Sequence, residues 1–232
     1  MRRTGEADRK KEEILKIAGT LFLHNGYEKT SMRQIAAEAK ISVGLASYHF
    51  NSKRELATEV VRRLFAQLAQ QAKLSVSQHA DPLLYSAVLM RLNNAVLSRE
   101  CYRQFYLDIL RNDILTDVIT GTGVETYFCI RDRYCPLQSD EETKRLGWYG
   151  NYISASMERT LNLYEEKRSL IPGNTAEIVI KSALSMWDFP HAREEIERAC
   201  RESEEIVAHL PLATRDLEST FCSHVCQSKT NE

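Results

Sequence analysis

The most informative segment of the chain begins with Thr30-Ser-Met-Arg-Gln-Ile-Ala36 and continues through Ala39-Lys-Ile-Ser42 and Tyr48-His-Phe-Asn-Ser-Lys53. Ser31 has Gln34 three residues later, which is the spacing of a capping box at the start of a helix. Ser42 is well placed to cap another short helix. Two short helices joined by a tight connection predict a helix-turn-helix.

Helical periodicity extends over most of the chain. Apolar residues before Asn25-Gly26 predict a first helix, and Ser52 with Glu55 forms another capping box, opening a helix that reaches about residue 75. More helices are predicted over about 82–98, 102–110 and 127–134, from 140 toward Pro172, from Asn174, and over 192–210. No useful length of sequence has the period-two alternation of a strand. The predicted fold class is therefore all-α.

We expect three parts along the chain. Residues 1–52 are predicted to be a three-helix domain with the helix-turn-helix, residues 53–210 a helical bundle, and residues 211–232 a flexible C-terminal tail. Cys222, His224 and Cys226 lie in this tail. Their thiol and imidazole groups are soft ligands that could bind zinc or copper, but solvated side chains are the interpretation that we favour.

Charge is distributed unevenly. Residues 1–60 contain 11 lysines and arginines against 8 aspartates and glutamates, although the whole chain has a formal net charge of −1. A positive module on an acidic body is typical of site-specific DNA binding. The polar run after Met1 argues against a signal peptide, and no apolar run is long enough for a bilayer, so we expect a cytoplasmic protein without a membrane partner. We expect its cysteines to be reduced, and we expect no cofactor or metal.

The predicted helix-turn-helix supplies the groups that DNA binding needs. Polar side chains and helix N-termini bind phosphates, and a helix in the major groove contacts base edges. The candidate DNA-binding residues are Thr30, Ser31, Arg33, Ser42, Val43, Gly44, Leu45, Ser47, Tyr48, His49 and Lys53. No Arg, Asn or Gln lies between Ser42 and Phe50, so we expect part of the specificity to come from DNA shape. The alternative is a helical hairpin that packs for structural reasons only.

The combined spacing resembles the TetR/AcrR family of bacterial transcriptional regulators. The resemblance covers roughly residues 9–60 and rests on the quoted motifs with Gly44 and Glu55-Leu56. It implies three N-terminal helices that read DNA, a fourth helix that links them to an effector-binding body, and a homodimer built from C-terminal helices. It also implies DNA contacts at Thr30, Gly44, Tyr48, His49 and Lys53.

Two positions depart from the family pattern. Lys40 stands where the turn in the family usually has Gly, and Ser47 stands where many members have Tyr. The aromatic side chain is at Tyr48 instead.

Aromatic residues in the second half of the chain are candidates for an effector pocket. The candidates are Tyr102, Phe105, Tyr106, Tyr127, Phe128, Trp148 and Tyr152. The alternative is that they are ordinary core residues at helical spacing. Gly147, Gly150, Ser154 and Ala155 permit close helix approach, from which we hypothesise that their helix contributes to dimerisation.

We expect a ligand-responsive transcriptional regulator, a repressor, rather than an enzyme. Its expected partners are double-stranded operator DNA with an inverted repeat, a second copy of the chain, and an unidentified small-molecule effector. The alternative is an all-α enzyme or a helical adaptor without DNA binding. The sequence has no H-E-x-x-H, no P-loop and no G-x-S-x-G motif, and these absences disfavour catalysis.

Overall fold

The structure is a computed structural model that describes residues 2–164 and 173–210, with the backbone alone for 2–5. The described residues form helices and no strand, which confirms the all-α prediction. The helices are α1 (Arg2–Asn25), α2 (Met32–Glu38), α3 (Val43–His49), α4 (Lys53–Ser75), α5 (Pro82–Leu97), α6 (Glu100–Arg111), α7 (Ile114–Ile119), α8 (Val124–Tyr134), α9 (Asp140–Leu163), α10 (Thr175–Leu184) and α11 (Ala192–His209).

Unit 1 contains the described residues up to Leu64 together with Ser98–Ile114. In it α2 packs against α3, and α1 packs against both α2 and α6. The core is aromatic and aliphatic: Phe22 of α1 stacks on Phe105 of α6 with ring centroids 5.9 Å apart. Burying such side chains is the main favourable contribution to folding. As a result, α6 is part of the same core as the three N-terminal helices.

Unit 2 contains Phe65–Leu97 and the described residues from Leu115 onward. In it α5 packs against α8, α10 and α11, and α9 packs against α8 and α10. The central α5 is apolar on nearly every side, and its buried Arg91 donates hydrogen bonds to Ser203 Oγ (3.1 Å) and to the carbonyl oxygen of Cys200 (3.0 Å) on α11. These bonds replace the hydration of the Arg91 guanidinium, whose burial without partners would be unfavourable.

Local signals in the sequence place most helix starts correctly. Ser31 and Gln34 form the predicted capping box, and Ser42 and Asn174 cap their helices as predicted. In the box predicted at α4, the Ser52 hydroxyl accepts from the Glu55 N–H, but the Glu55 carboxylate accepts from the backbone N–H and side-chain amide of Asn51.

Two helices differ from the predicted ones, and two predicted stretches lie outside the described residues. Helix α1 starts at Arg2, well before its apolar repeat, and the short α7 was not predicted. The predicted tail 211–232, with Cys222, His224 and Cys226, lies outside the described residues, as does the stretch 165–172 before Gly173.

Candidate functional site

Helix α3 presents an apolar face to solvent. Ser42 caps it by accepting a hydrogen bond from the Leu45 N–H at 3.1 Å, and Ala46 is fully buried against the rest of unit 1. On the outer side Tyr48 is 79% exposed, and Val43 and Leu45 are 42% and 39% exposed. Apolar side chains normally gain free energy by leaving water. Their exposure along one short helix therefore points to a partner outside the chain.

The polar neighbours on α3 complete this surface. Ser47 is exposed and His49 is half-buried, with its ring 5.4 Å from that of Tyr48. Beyond its own helix backbone and adjacent residues, a Cβ added at Gly44 would meet Ser42 Oγ at 3.9 Å and no closer atom of the described residues. Packing within unit 1 therefore does not require glycine at this position, whereas a surface that must approach the backbone closely would.

Thr30 and Ser31 have different surroundings although they are adjacent. Thr30 is 2% exposed, and its hydroxyl donates to the carbonyl oxygens of Gly26 (2.8 Å) and Leu21 (3.2 Å) near the end of α1. Ser31 is exposed and caps α2 together with Gln34, and Arg33 is exposed on the same helix. The proposed DNA contact of Thr30 stays a prediction, and in this structure its hydroxyl bonds inside the domain.

Lys53, at the start of α4, is held by the loop between α1 and α2. Its Nζ donates to the carbonyl oxygen of Tyr27 at 2.9 Å and lies 4.1 Å from the centroid of the Tyr27 ring. A cation over an aromatic face is attracted by the ring quadrupole. The ammonium is therefore fixed near the N-terminus of α4 rather than free to move on its long side chain.

The sequence interpretation missed the residue that holds the same loop from the other side. Asp108 of α6 is 1% exposed and accepts hydrogen bonds from the Glu28 N–H (3.1 Å), Gln104 Nε2 (2.8 Å) and Arg111 Nη1 (3.2 Å). The available signal was an acidic residue within the apolar repeat of Phe105, Ile109 and their neighbours. A charge on a buried helix face requires partners, but periodicity does not say which.

A family model describes this region. Residues 14–60 match the family of bacterial regulatory proteins called the tetR family. This N-terminal part of the chain is therefore similar to the TetR family. The match spans α1, α2 and α3 and the first part of α4, which are the elements that build the surface described above.

Three curated relatives are named as transcriptional regulators. The HTH-type transcriptional repressor KstR2 of Mycobacterium tuberculosis is 32% identical over 79 residues, 34% of this chain and 40% of the relative. KstR2 of Mycolicibacterium smegmatis is 38% identical over 53 residues, 23% of this chain and 26% of the relative. The regulator BetI of Agrobacterium fabrum is 24% identical over 176 residues, 76% of this chain and 72% of the relative. The chain thus spans about two fifths or less of the length of the KstR2 proteins. None of the three relatives is named as an enzyme, in agreement with the expectation from the sequence.

Solved structures of regulators also align with the chain. A TetR-family transcriptional regulator of Mesorhizobium loti is 20% identical, with a TM-score of 0.39, over 87% of this chain and 96% of its own. A gamma-butyrolactone receptor is 14% identical, also with a TM-score of 0.39, over 87% of this chain and 99% of its own.

The departure from the TetR pattern at Lys40 has a structural consequence. Lys40 adopts φ 53°, in the left-handed region, immediately after α2. The Ile41 N–H donates to the Ala36 carbonyl at 2.9 Å, and the Lys40 N–H to the Ala37 carbonyl at 3.0 Å. This is a Schellman motif, whose left-handed position favours glycine. The chain closes α2 in this geometry with a lysine.

The aromatic residues expected to form an effector pocket fall into both units. Tyr102, Phe105 and Tyr106 are buried in the core of unit 1. In unit 2, Tyr127 donates a hydrogen bond to the Thr122 carbonyl at 3.1 Å and contacts Asn151, and burial raises the pKa of its hydroxyl well above the ordinary range.

The rest of the aromatic set lies near or at the surface of unit 2. Phe128 is half-buried beneath the Arg131 guanidinium, and Trp148 and Tyr152 of α9 are 47% and 41% exposed with ring centroids 4.3 Å apart. The effector role of the set stays a prediction. A cavity of about 300 Å³ in unit 2 is lined instead by Arg91, Glu177, Lys181, Glu197, Cys200, Arg201 and Glu204.

Among residues 2–164 and 173–210, no three or more His, Cys, Asp or Glu side chains are grouped so that they could hold a metal ion. None of the helices described is both long enough and apolar enough to span a bilayer.

Proposed function

We propose that this protein is a transcriptional repressor of the TetR family that binds an inverted-repeat operator as a homodimer and responds to a small-molecule effector. The observation that carries the proposal is the exposed face of α3. Val43, Leu45 and Tyr48 are exposed on a capped helix that the buried Ala46 anchors to the domain. A helix about two turns long that is presented in this way fits the dimensions of the major groove.

The side chains on this face suit contacts with base edges and with the DNA backbone. Val43 and Leu45 can contact thymine methyl groups, and the hydroxyls of Ser42 and Ser47 can donate to phosphates or bases. Gly44 allows close approach, because the space at the position of its missing Cβ is open, with Ser42 Oγ 3.9 Å away. The exposed Arg33 and the fixed Lys53 supply positive charge for phosphates.

Repression, dimerisation and the response to an effector each have their own support. The name of the KstR2 relatives supports repression. Dimerisation and an effector site in the bundle follow from the family resemblance, and for the boundaries we propose a DNA-binding domain over 1–52 and an effector domain over 53–210. Effector binding that shifts the separation of two reading heads would release the operator.

The test is DNA binding measured by fluorescence anisotropy. A duplex selected by the protein from a random-sequence pool would be titrated with the wild type and with Tyr48→Ala and Leu45→Ala. We expect each variant to lose on the order of tenfold or more in affinity for the selected duplex, because each removes a base-edge contact worth about 1–3 kcal/mol. Thermal unfolding should change little, since both side chains are exposed.

Matched controls separate this surface from general effects. Leu74 of α4 is 82% exposed in unit 2, so Leu74→Ala removes the same side chain as Leu45→Ala and should leave the affinity unchanged. If the pool yields no preferred sequence and no duplex binds even at low salt, the proposed function is wrong. If Leu74→Ala weakens binding as much as Leu45→Ala does, the α3 face is not the reading surface.

A further inference from the structure

One peptide group lies between the buried carboxylate of α6 and the lysine at the start of α4. The peptide joins Tyr27 to Glu28 in the loop before α2. Its carbonyl oxygen accepts a hydrogen bond from Lys53 Nζ at 2.9 Å, and its N–H donates to Asp108 Oδ2 at 3.1 Å. A carboxylate, a peptide and an ammonium group therefore form one hydrogen-bonded chain across α6, the loop and α4.

The Asp108 end of this chain is rigid. Its carboxylate is almost completely buried and is also bonded by Gln104 and Arg111. Gly26, at φ +82°, lies so close that an added Cβ would be 2.8 Å from Asp108 Oδ2. Any other residue at Gly26 would push the loop away from the carboxylate. The close contact requires glycine and fixes the loop against α6.

The Lys53 end retains capacity for another partner. A lysine ammonium has three N–H donors, of which one is used by the Tyr27 carbonyl. The Tyr27 ring, 4.1 Å from Nζ, restricts the ammonium further. Because hydrogen bonds in a chain polarise one another, the negative charge at Asp108 strengthens the bond that the same peptide makes to Lys53.

We propose that Asp108 is a positioning residue for DNA binding, which acts through the Tyr27–Glu28 peptide to hold the Lys53 ammonium where it meets a DNA phosphate. The inference rests on the proposed function. It adds a residue of α6, 55 positions beyond Lys53 in the chain, to the machinery of the DNA-binding surface.

The test uses phosphate contacts, which do not require knowledge of the operator. The full chain would be titrated with a 40-bp duplex of mixed sequence from 50 to 200 mM salt, as wild type, Lys53→Ala, Asp108→Ala and the double variant. Each phosphate contact contributes about 0.9 to the slope of log affinity against log salt. We expect Lys53→Ala to reduce the slope by about 0.9 per protomer and to weaken binding on the order of tenfold at 50 mM salt.

Asp108→Ala should reduce the slope by a similar amount, and the double variant should lose no more than Lys53→Ala alone. Glu100→Ala is the matched control, because it removes an exposed acidic side chain of the same helix that takes no part in the hydrogen-bonded chain, and its slope should equal that of the wild type. If Asp108→Ala does not fold by circular dichroism, the nearly isosteric Asp108→Asn replaces it, with a smaller reduction that again vanishes in the Lys53→Ala background.

A second readout needs no DNA. Lysines would be dimethylated with ¹³C-formaldehyde, and the Lys53 methyl resonance assigned by its absence in Lys53→Ala. The Tyr27 ring should shift this resonance away from those of exposed lysines in the wild type, and Asp108→Ala should return it toward them. A folded Asp108 variant with the wild-type salt slope overturns the inference while leaving the proposed function intact. If the wild type ignores DNA, the proposed function fails, and the Lys53 resonance still decides whether Asp108 positions Lys53.

Discussion

Neighbouring polar residues at the start of the helix-turn-helix have separate roles. The Thr30 hydroxyl donates to the carbonyl oxygens of Leu21, in α1, and of Gly26, immediately after it. Ser31 caps α2 and remains exposed. Side chains of similar chemistry, one residue apart, thus serve the interior and the surface. The surroundings of the two side chains differ because the chain enters α2 between Thr30 and Ser31.

Lys40 provides a prediction at the scale of a single residue. A side chain in the left-handed region costs roughly 1–2 kcal/mol, and glycine avoids this cost but loses more conformational entropy on folding. We expect Lys40→Gly to raise the free energy of unfolding by about 0.5–1 kcal/mol, measured by urea denaturation. Lys40→Ala is the control, since it removes the long side chain but keeps the backbone strain. Equal stability of the two variants would show that the strain is absent.

Helices α1 and α4 are joined by an ion pair that responds to pH. Both oxygens of Glu12 accept hydrogen bonds from the Arg63 guanidinium, and these bonds lower the pKa of Glu12 below its ordinary range. A lowered pKa in the folded state adds stability above the ordinary pKa, and this stability is lost as the pH falls through the lowered value.

The corresponding variant is Glu12→Gln. We expect it to be less stable than the wild type at pH 7 by less than about 1 kcal/mol, because both side chains are partly exposed and solvent screens them. The difference should close as the pH falls below about 4. Thermal unfolding from pH 3 to pH 8 measures it. A difference that stays constant over this range would contradict the assignment to the Glu12 charge.

The small residues of α9 serve contacts within the chain. A Cβ at Gly147 would lie 2.2–2.5 Å from ring carbons of Tyr127 on α8, and a Cβ at Gly150 would lie 2.7 Å from the Ala183 carbonyl oxygen on α10. The sequence predicts close helix approach at these residues, and the structure shows that approach with α8 and α10. Substitutions there therefore probe folding of unit 2, and the hypothesis that α9 contributes to dimerisation needs a different probe.

Gly150→Ala tests this packing. Alanine is favoured over glycine within a helix by about 1 kcal/mol, but overpacking against a backbone carbonyl costs about 1–3 kcal/mol. We expect a net loss of stability of up to about 2 kcal/mol in chemical denaturation. The exposed Ser156 on the same helix supplies the control, because Ser156→Ala meets no packed neighbour and should be neutral or slightly stabilising. A stabilised Gly150→Ala would mean that α9 and α10 are less closely packed.

For the whole molecule, the proposed homodimer sets a geometric rule for its operator. Two reading heads related by a two-fold axis contact half-sites that are about 10–10.5 base pairs apart, or a multiple of that spacing. Inserting about 5 base pairs between half-sites turns one of them to the opposite side of the duplex, so we expect affinity to fall at least tenfold. An insertion of about 10 base pairs should restore part of it.

The measurement is anisotropy with the selected duplex and its two insertion variants, at a salt concentration where duplexes of random sequence no longer bind. Sedimentation of the complex should give two protomers per duplex. Unchanged affinity after the shorter insertion would indicate that each protomer binds alone. Binding to duplexes of random sequence depends on the positive charge of residues 1–60, within a chain of net charge −1, and therefore weakens as the salt concentration rises.

The helical class, the helix-turn-helix and most of the helix starts could be predicted from local sequence patterns. These features depend on short-range interactions: Ser31, Ser42 and Asn174 accept hydrogen bonds from N–H groups two or three residues away, and the apolar repeat reports which face of a helix is buried.

The contacts between residues far apart in the chain could not be predicted in this way and became known from the fold. Asp108 bonds to a peptide N–H 80 positions away, Lys53 rests on Tyr27, and the seven aromatic residues expected in one pocket fall into both units. A charged or aromatic residue within an apolar repeat indicates that its side chain needs partners. The partners are chosen by how the helices pack, and packing depends on the shape of all the buried surfaces together rather than on any local pattern.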